Sequence, residues 1–321
     1  MSTEIISFQV LYAYAALLRA ERRATLVPYL GETAALATSV LWSLNSVCFT
    51  LAGRRVGSAS VNLGRLLMAW GVLAAAHGGL HGSPFPIHAG AAALGWLGIS
   101  GLIGFALGDA VLFEAFLLIG PRLAMLLMTL SPVFSALLAW VLLGQALSLV
   151  KLLAMVVTLG GIAWVVGAGS GDAPRPRLVR GVLLGLGGAM GQSVGLLFSL
   201  YGMRGGLGPI AANLVRVTAG VLALSLYFVA SGRLSTTLGA LRDRRSSALI
   251  ALGAVTGPVA GVVLSLVAIA RAPMGVAATL MSLSPVILLP VARYGFREKV
   301  GLHGILGTLL ALAGAAALFF A

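Results

Sequence analysis

Acidic residues are scarce in this sequence: 8 Asp and Glu among 321 residues, against 21 Lys and Arg. Charged residues make up only 9% of the chain and apolar ones 60%, which excludes a globule with a fully water-facing surface. Cysteine is nearly absent as well. Cys48 stands alone in an apolar run, so there is neither a disulfide framework nor a cysteine-based metal site. The sequence also lacks a Walker motif, a dinucleotide fingerprint and a nucleophile elbow, and nucleotide hydrolysis within this chain is not expected.

What is present is a series of long apolar runs. A membrane-spanning helix needs ~20 mostly apolar residues. The pattern predicts ten, near 34–52, 61–78, 90–115, 123–143, 149–168, 181–201, 209–230, 247–270, 275–293 and 301–320. The 43 glycines would weaken helices in water, but in lipid they let backbones approach closely. The expected fold class is all-α, a polytopic membrane protein with ten transmembrane helices. The net charge of +13 is carried by arginines placed singly or in short groups between the runs, as membrane-flanking anchors rather than a nucleic-acid surface. The partners expected are a lipid bilayer and a small molecule. The first thirty residues hold a short apolar run followed by Arg19, Arg22 and Arg23, the reverse of a cleaved signal peptide, and read as an interfacial helix or an extension.

Two seven-residue phrases, LMTLSPV at 127–133 and LMSLSPV at 280–286, lie 153 positions apart. At the same offset Gly104 and Gly108 meet Gly257 and Gly261, Gln145 meets Glu298, and Gly161 meets Gly314. Upstream the offset is 151, where Asn62 to Arg65 meets Asn213 to Arg216. The chain is thus a duplication: residues 33–168 and 180–321, joined by a polar linker at 169–179. Each half has five spans, and because five is odd the second half lies inverted relative to the first. Inverted repeats are the signature of alternating-access transporters, with the substrate near the midplane where the halves meet.

The order of motifs is informative: Trp42 and Asn45 in the first span, Arg65 opening the second, a Gly-rich third, a fourth reading L-x-P-V followed by L-G-[EQ], and a Gly-rich fifth. In order, spacing and duplication this resembles the EamA repeat of the drug/metabolite transporter superfamily, over residues 33–321. The resemblance implies a secondary transporter of the cell membrane, with no cofactor. Its characterised relatives include exporters of amino acids and other small metabolites, YddG-like aromatic amino acid exporters among them. Two departures imply an asymmetric site: Gln145 replaces the usual Glu, and the second half has Gln192 and Ser193 in place of the W-x-x-N phrase.

Asp109 and Glu114 are the only acids well inside an apolar run. A carboxylate at the bilayer centre costs ~2.5–3.5 kcal/mol on insertion scales, so each must face a cavity, pair with a base or hold a proton. Proton coupling or capture of a cationic group is the functional expectation; for Glu114, near the end of its span, contact with interfacial water is the alternative. Arg65 and Arg216 each follow an Asn, Asn62 and Asn213, by three positions. Such pairs could bind a carboxylate or phosphate, or snorkel to the interface. Pro132 and Pro285 remove helix hydrogen bonds near Met128 and Met281, which with Ser131 and Ser284 suggests either polar hinges or static kinks. Trp42, Asn45 and Gln192 complete the expected substrate-binding set. His77, His81 and His88 lie in a Gly- and Pro-broken loop better read as solvated than as a metal site. With ten spans, thirteen Lys and Arg fall on the side away from the termini and six on the termini's side, a bias for external termini, whereas the resemblance implies cytoplasmic ones. A pocket between halves of one chain needs no second subunit, so a monomer is expected.

Overall fold

The computed structural model describes residues 29–144, 146–168, 174–204, 206–272, 274–298 and 300–320, and among them every regular element is helical. The expectations for the first 28 residues, for Gln145 and for residues 169–173 of the linker lie outside the described residues.

The first passage, Leu30–Val56, ends in Arg54 and Arg55, and the second, Ser58–His81, follows after a single residue. Gly57, at φ 82°, makes that reversal, which a side chain would strain. The third passage is composite: Ala91–Gly101, a π-helical turn Leu102–Gly108, and the start of Asp109–Met128. Gly120, at φ 78° and ψ 161°, breaks that last helix and hands the chain to the fourth passage at Pro121. The fourth runs on to Met128, turns through Thr129 and Leu130, and resumes as Ser131–Leu143.

The fifth to seventh passages are Leu149–Gly167, Arg175–Met203 and Pro209–Ala230. The sixth starts at Arg175, earlier than the apolar run predicts, because Pro176 suits a first helical turn and the arginines there reach outward. A short helix, Leu234–Ala240, leads to the eighth passage, built from Arg244–Ala254, a π turn Val255–Val259 and Ala260–Arg271. The ninth comprises Met274–Met281, Ser284–Pro290 and a π turn Val291–Gly295, and the tenth is Leu302–Phe320. Among the described residues, nine helical stretches are long and apolar enough to cross a membrane and Ser131–Leu142 is a shorter one; the longest, Ala91–Met128, holds the Gly120 break. The chain is a polytopic all-α membrane protein. Leu107, Val156 and Leu226, each more than half exposed, belong to its lipid-facing surface.

Packing follows the duplication. The first passage packs on the eighth and the sixth on the third, the second on the seventh, and the fifth on the tenth. Exchanging the halves maps this set onto itself, as inverted repeats require. Glycines allow the close approaches: a Cβ on Gly161 would stand 2.4 Å from the Ala311 nitrogen, and one on Gly314 2.5 Å from that of Thr158.

Pro132 and Pro285 are not helix-interior residues. The helix stops before each of them: the Thr129 and Leu130 N–H groups bond to the Leu126 and Leu127 carbonyls at 3.1 and 3.0 Å, closing a tight last turn, and Leu283 bonds likewise to Leu280 at 3.3 Å. Each proline then occupies the first turn of the resumed helix, where a missing N–H costs little.

Candidate functional site

The π turn Leu102–Gly108 organises the middle of the third passage. Its widened ladder sends the Asp109 N–H back to the Gly104 carbonyl, and the carbonyls of Phe105 and Ala106 accept from a side chain outside the helix. The Asn62 amide, on the second passage, donates to both at 3.2 and 3.3 Å. Asn62 Oδ1 in turn accepts from Arg65 Nε at 3.2 Å and Nη2 at 3.1 Å. Arg65 Nη2 also pairs with Asp109 Oδ2, while Gln192 Nε2 from the sixth passage donates to Asp109 Oδ1 at 2.6 Å. Asn62, Arg65 and Asp109 are 0%, 4% and 5% exposed.

Burial is tolerable here because the ion pair is supplemented by amide hydrogen bonds on both partners. Arg65, about two turns inside its helix, points inward and does not snorkel. Its guanidinium lies 4.9 Å from the Phe113 ring and 5.7 Å from that of Phe105. Arg216, reaching in from the seventh passage, lies 4.4 Å from the same Phe105 ring. The two arginines of the duplicated motif therefore meet at one aromatic ring. Phe105 is a site residue that sequence reasoning missed; the only hint was its place between Gly104 and Gly108.

The second half repeats the framework but not the charge pair. Asn213 donates to the Pro258 carbonyl of its own π turn at 3.3 Å, as Asn62 does to Phe105. Position 262, the counterpart of Asp109, is Val. Asn213 Oδ1 and Arg216 Nε are both buried without a hydrogen-bond partner among the described residues.

The other expected site residues lie elsewhere. Trp42 and Asn45 pack on the eighth passage, where a Cβ on Gly261 would stand 2.7 Å from Trp42 Nε1 and one on Gly257 2.4 Å from Asn45 Nδ2. Ser131 meets Ser193 oxygen to oxygen at 2.9 Å, and Ser284 donates to the Ser39 carbonyl at 3.0 Å, so these hydroxyls tie the broken helices to the sixth and first passages. Met128 borders the main apolar core and Met281 a small alanine-rich one. Glu114 accepts from Ser58 Oγ at 2.7 Å and faces Arg180 at 3.8 Å near one membrane surface, apart from Asp109. At the opposite surface a cavity of about 960 Å³ brings His77, His81 and His88 together with Trp96, Tyr201 and Arg204. His77 Nδ1 is engaged with the Ser83 carbonyl at 2.6 Å, and no three His, Cys, Asp or Glu side chains among the described residues converge as metal ligands.

The model of the EamA-like transporter family matches residues 29–167 and 179–320, nearly the whole chain in two repeats. The chain belongs to the EamA-like transporter family. It is accordingly a membrane transporter of the drug/metabolite superfamily. A solved crystal structure aligns over 91% of this chain and 96% of its own at 19% identity, with a TM-score of 0.53, a likeness of fold. No curated protein matches this chain.

Proposed function

We propose that this EamA-like protein is a secondary transporter that exports a small amphiphilic metabolite, an amino acid in the first instance, by alternating access of its two halves. The observation that carries this reading is the Asn62–Arg65–Asp109–Gln192 cluster: a buried polar network where elements of both halves meet, on a helix widened by a π turn. Around it Phe105 and Phe113 supply aromatic surface, which suits a substrate with an apolar body and a polar end. Asp109 couples the cycle to protons on this reading, taking one up when its pair with Arg65 opens. The protein acts as a monomer in the cell membrane, since one chain supplies every member of the cluster.

Purified protein in liposomes, offered labelled amino acids, nucleosides, sugars and organic cations, tests the proposal. Flux of amino acids that responds to an imposed pH gradient supports it, and Asp109→Asn, in protein that still elutes and reconstitutes as the native protein does, should lose that response. Flux restricted to another class would move the substrate assignment, and no flux for any compound would contradict transport itself.

A further inference from the structure

The two halves carry the same Asn–Arg motif in two different states, and the difference is specific to atoms. In the first half Arg65 Nε donates to Asn62 Oδ1, and Arg65 Nη2 is satisfied by Asp109. In the second half the equivalent atoms, Arg216 Nε and Asn213 Oδ1, are the ones left buried without partners. Arg216 makes no side-chain ion pair among the described residues; its guanidinium rests on Phe105. The carboxylate of the first half has no counterpart in the second, because the position matching Asp109 is Val262.

We propose that the substrate supplies this missing carboxylate: Arg216 receives the carboxylate of the transported molecule, and Asn213 Oδ1 accepts from a hydrogen-bond donor on the carbon beside it. A carboxylate flanked by an ammonium or hydroxyl group is the arrangement found in α-amino and α-hydroxy acids. Two physical arguments support the assignment. With Asp109 already bonded to Arg65 and Gln192, the cluster of Arg65, Asp109 and Arg216 carries one positive charge in excess, and a buried excess charge is costly until an anion joins it. A buried donor and a buried acceptor left open on one helix face, one turn apart, match a ligand that offers both complements. The inference rests on the transporter reading and deepens it by naming the end of the substrate that is recognised and the half that recognises it.

The test compares α-amino acids with their primary amides and with the corresponding decarboxylated amines, as competitors of labelled substrate in liposomes and as ligands in detergent. Acids should bind at least ~10-fold tighter than amides or amines, a modest figure for loss of one charge-assisted contact. Arg216→Gln should erase that preference by weakening acids alone, and Arg216→Lys should restore part of it. Val262→Asp offers Arg216 an internal carboxylate, and in a variant that elutes and melts as the native protein does, acid binding should fall. Amides or amines that bind and move as well as acids, or an Arg216→Gln variant with unchanged preference, would overturn this inference while leaving transport standing. Absence of binding or flux for every compound would overturn both.

Discussion

Arg65 and Asp109 hold opposite charges in a place where neither is tolerated alone, so each is expected to be worth more as a partner than as a residue. Arg65→Gln leaves the Asp109 carboxylate with Gln192 as its remaining hydrogen-bond donor and should destabilise the protein by about 3–5 kcal/mol, the usual cost of breaking a buried pair from one side. Adding Asp109→Asn should recover part of that loss, and a double-mutant cycle on unfolding in detergent measures the coupling; strictly additive effects would argue against the pair. Asp243, at the membrane surface, is a different case. Hydrogen bonds from the Arg55 guanidinium and then from Ser246 hold its carboxyl well below the ordinary carboxylate range. The stabilisation is therefore present above an unfolded pKa of ~3.9 and is lost as pH falls below it. The protection factor of the Ser246 amide, whose N–H the Asp243 side chain caps at 3.1 Å, should be constant from pH 7 to about pH 4 when exchange is set against the intrinsic rate at each pH, and should fall only at more acidic pH. Asp109 was legible as a residue in need of a partner, but its partner was not. Arg65 lies 44 positions away on another helix, and it is the packing of the second passage against the third that brings the two together.

Helices here are defined as much by where they are interrupted as by where they are apolar. The apolar runs placed all ten passages because lipid imposes length and composition directly on sequence. The π turns were not legible: they leave no compositional mark, and the glycines of the third and eighth passages read as packing seams, which they also are. The proline phrases differ from their appearance in the sequence for a related reason. Proline inside an apolar run reads as a kink, whereas tight turns at Leu130 and Leu283 move each proline to a helix start. The close contact of the third and seventh passages gives a sharp expectation. A Cβ on Gly101 would stand 2.0 Å from the Arg216 carbonyl oxygen, while one on Gly98, a turn earlier, meets nothing within 4 Å. Gly101→Ala should cost at least ~1–3 kcal/mol or prevent folding, and Gly98→Ala should be near neutral. Thermal stability of the two variants, compared side by side, checks the helix register directly.

The molecule as a whole is a duplication whose halves share a backbone and differ in charge. Two identical inverted halves would offer a symmetric pathway; Asp109 against Val262, and Gln192 in place of the Trp42–Asn45 phrase, make one half a closed polar clip and the other an open one. The duplication was plain in the sequence, because an offset of 153 recurs in several motifs, and so was the divergence of Gln192. What the divergence means depends on which side chains converge between passages, and no spacing along one chain reports that. A carrier with one such site, open to one side at a time, exchanges internal for external substrate. Solute counterflow measures this most directly: liposomes holding the protein and loaded with unlabelled amino acid are diluted into a trace of the labelled one. The account predicts a transient overshoot, with labelled substrate accumulating above its external concentration before it declines. Uptake that rises only to equilibrium, as through a pore, would contradict alternating access at this cluster.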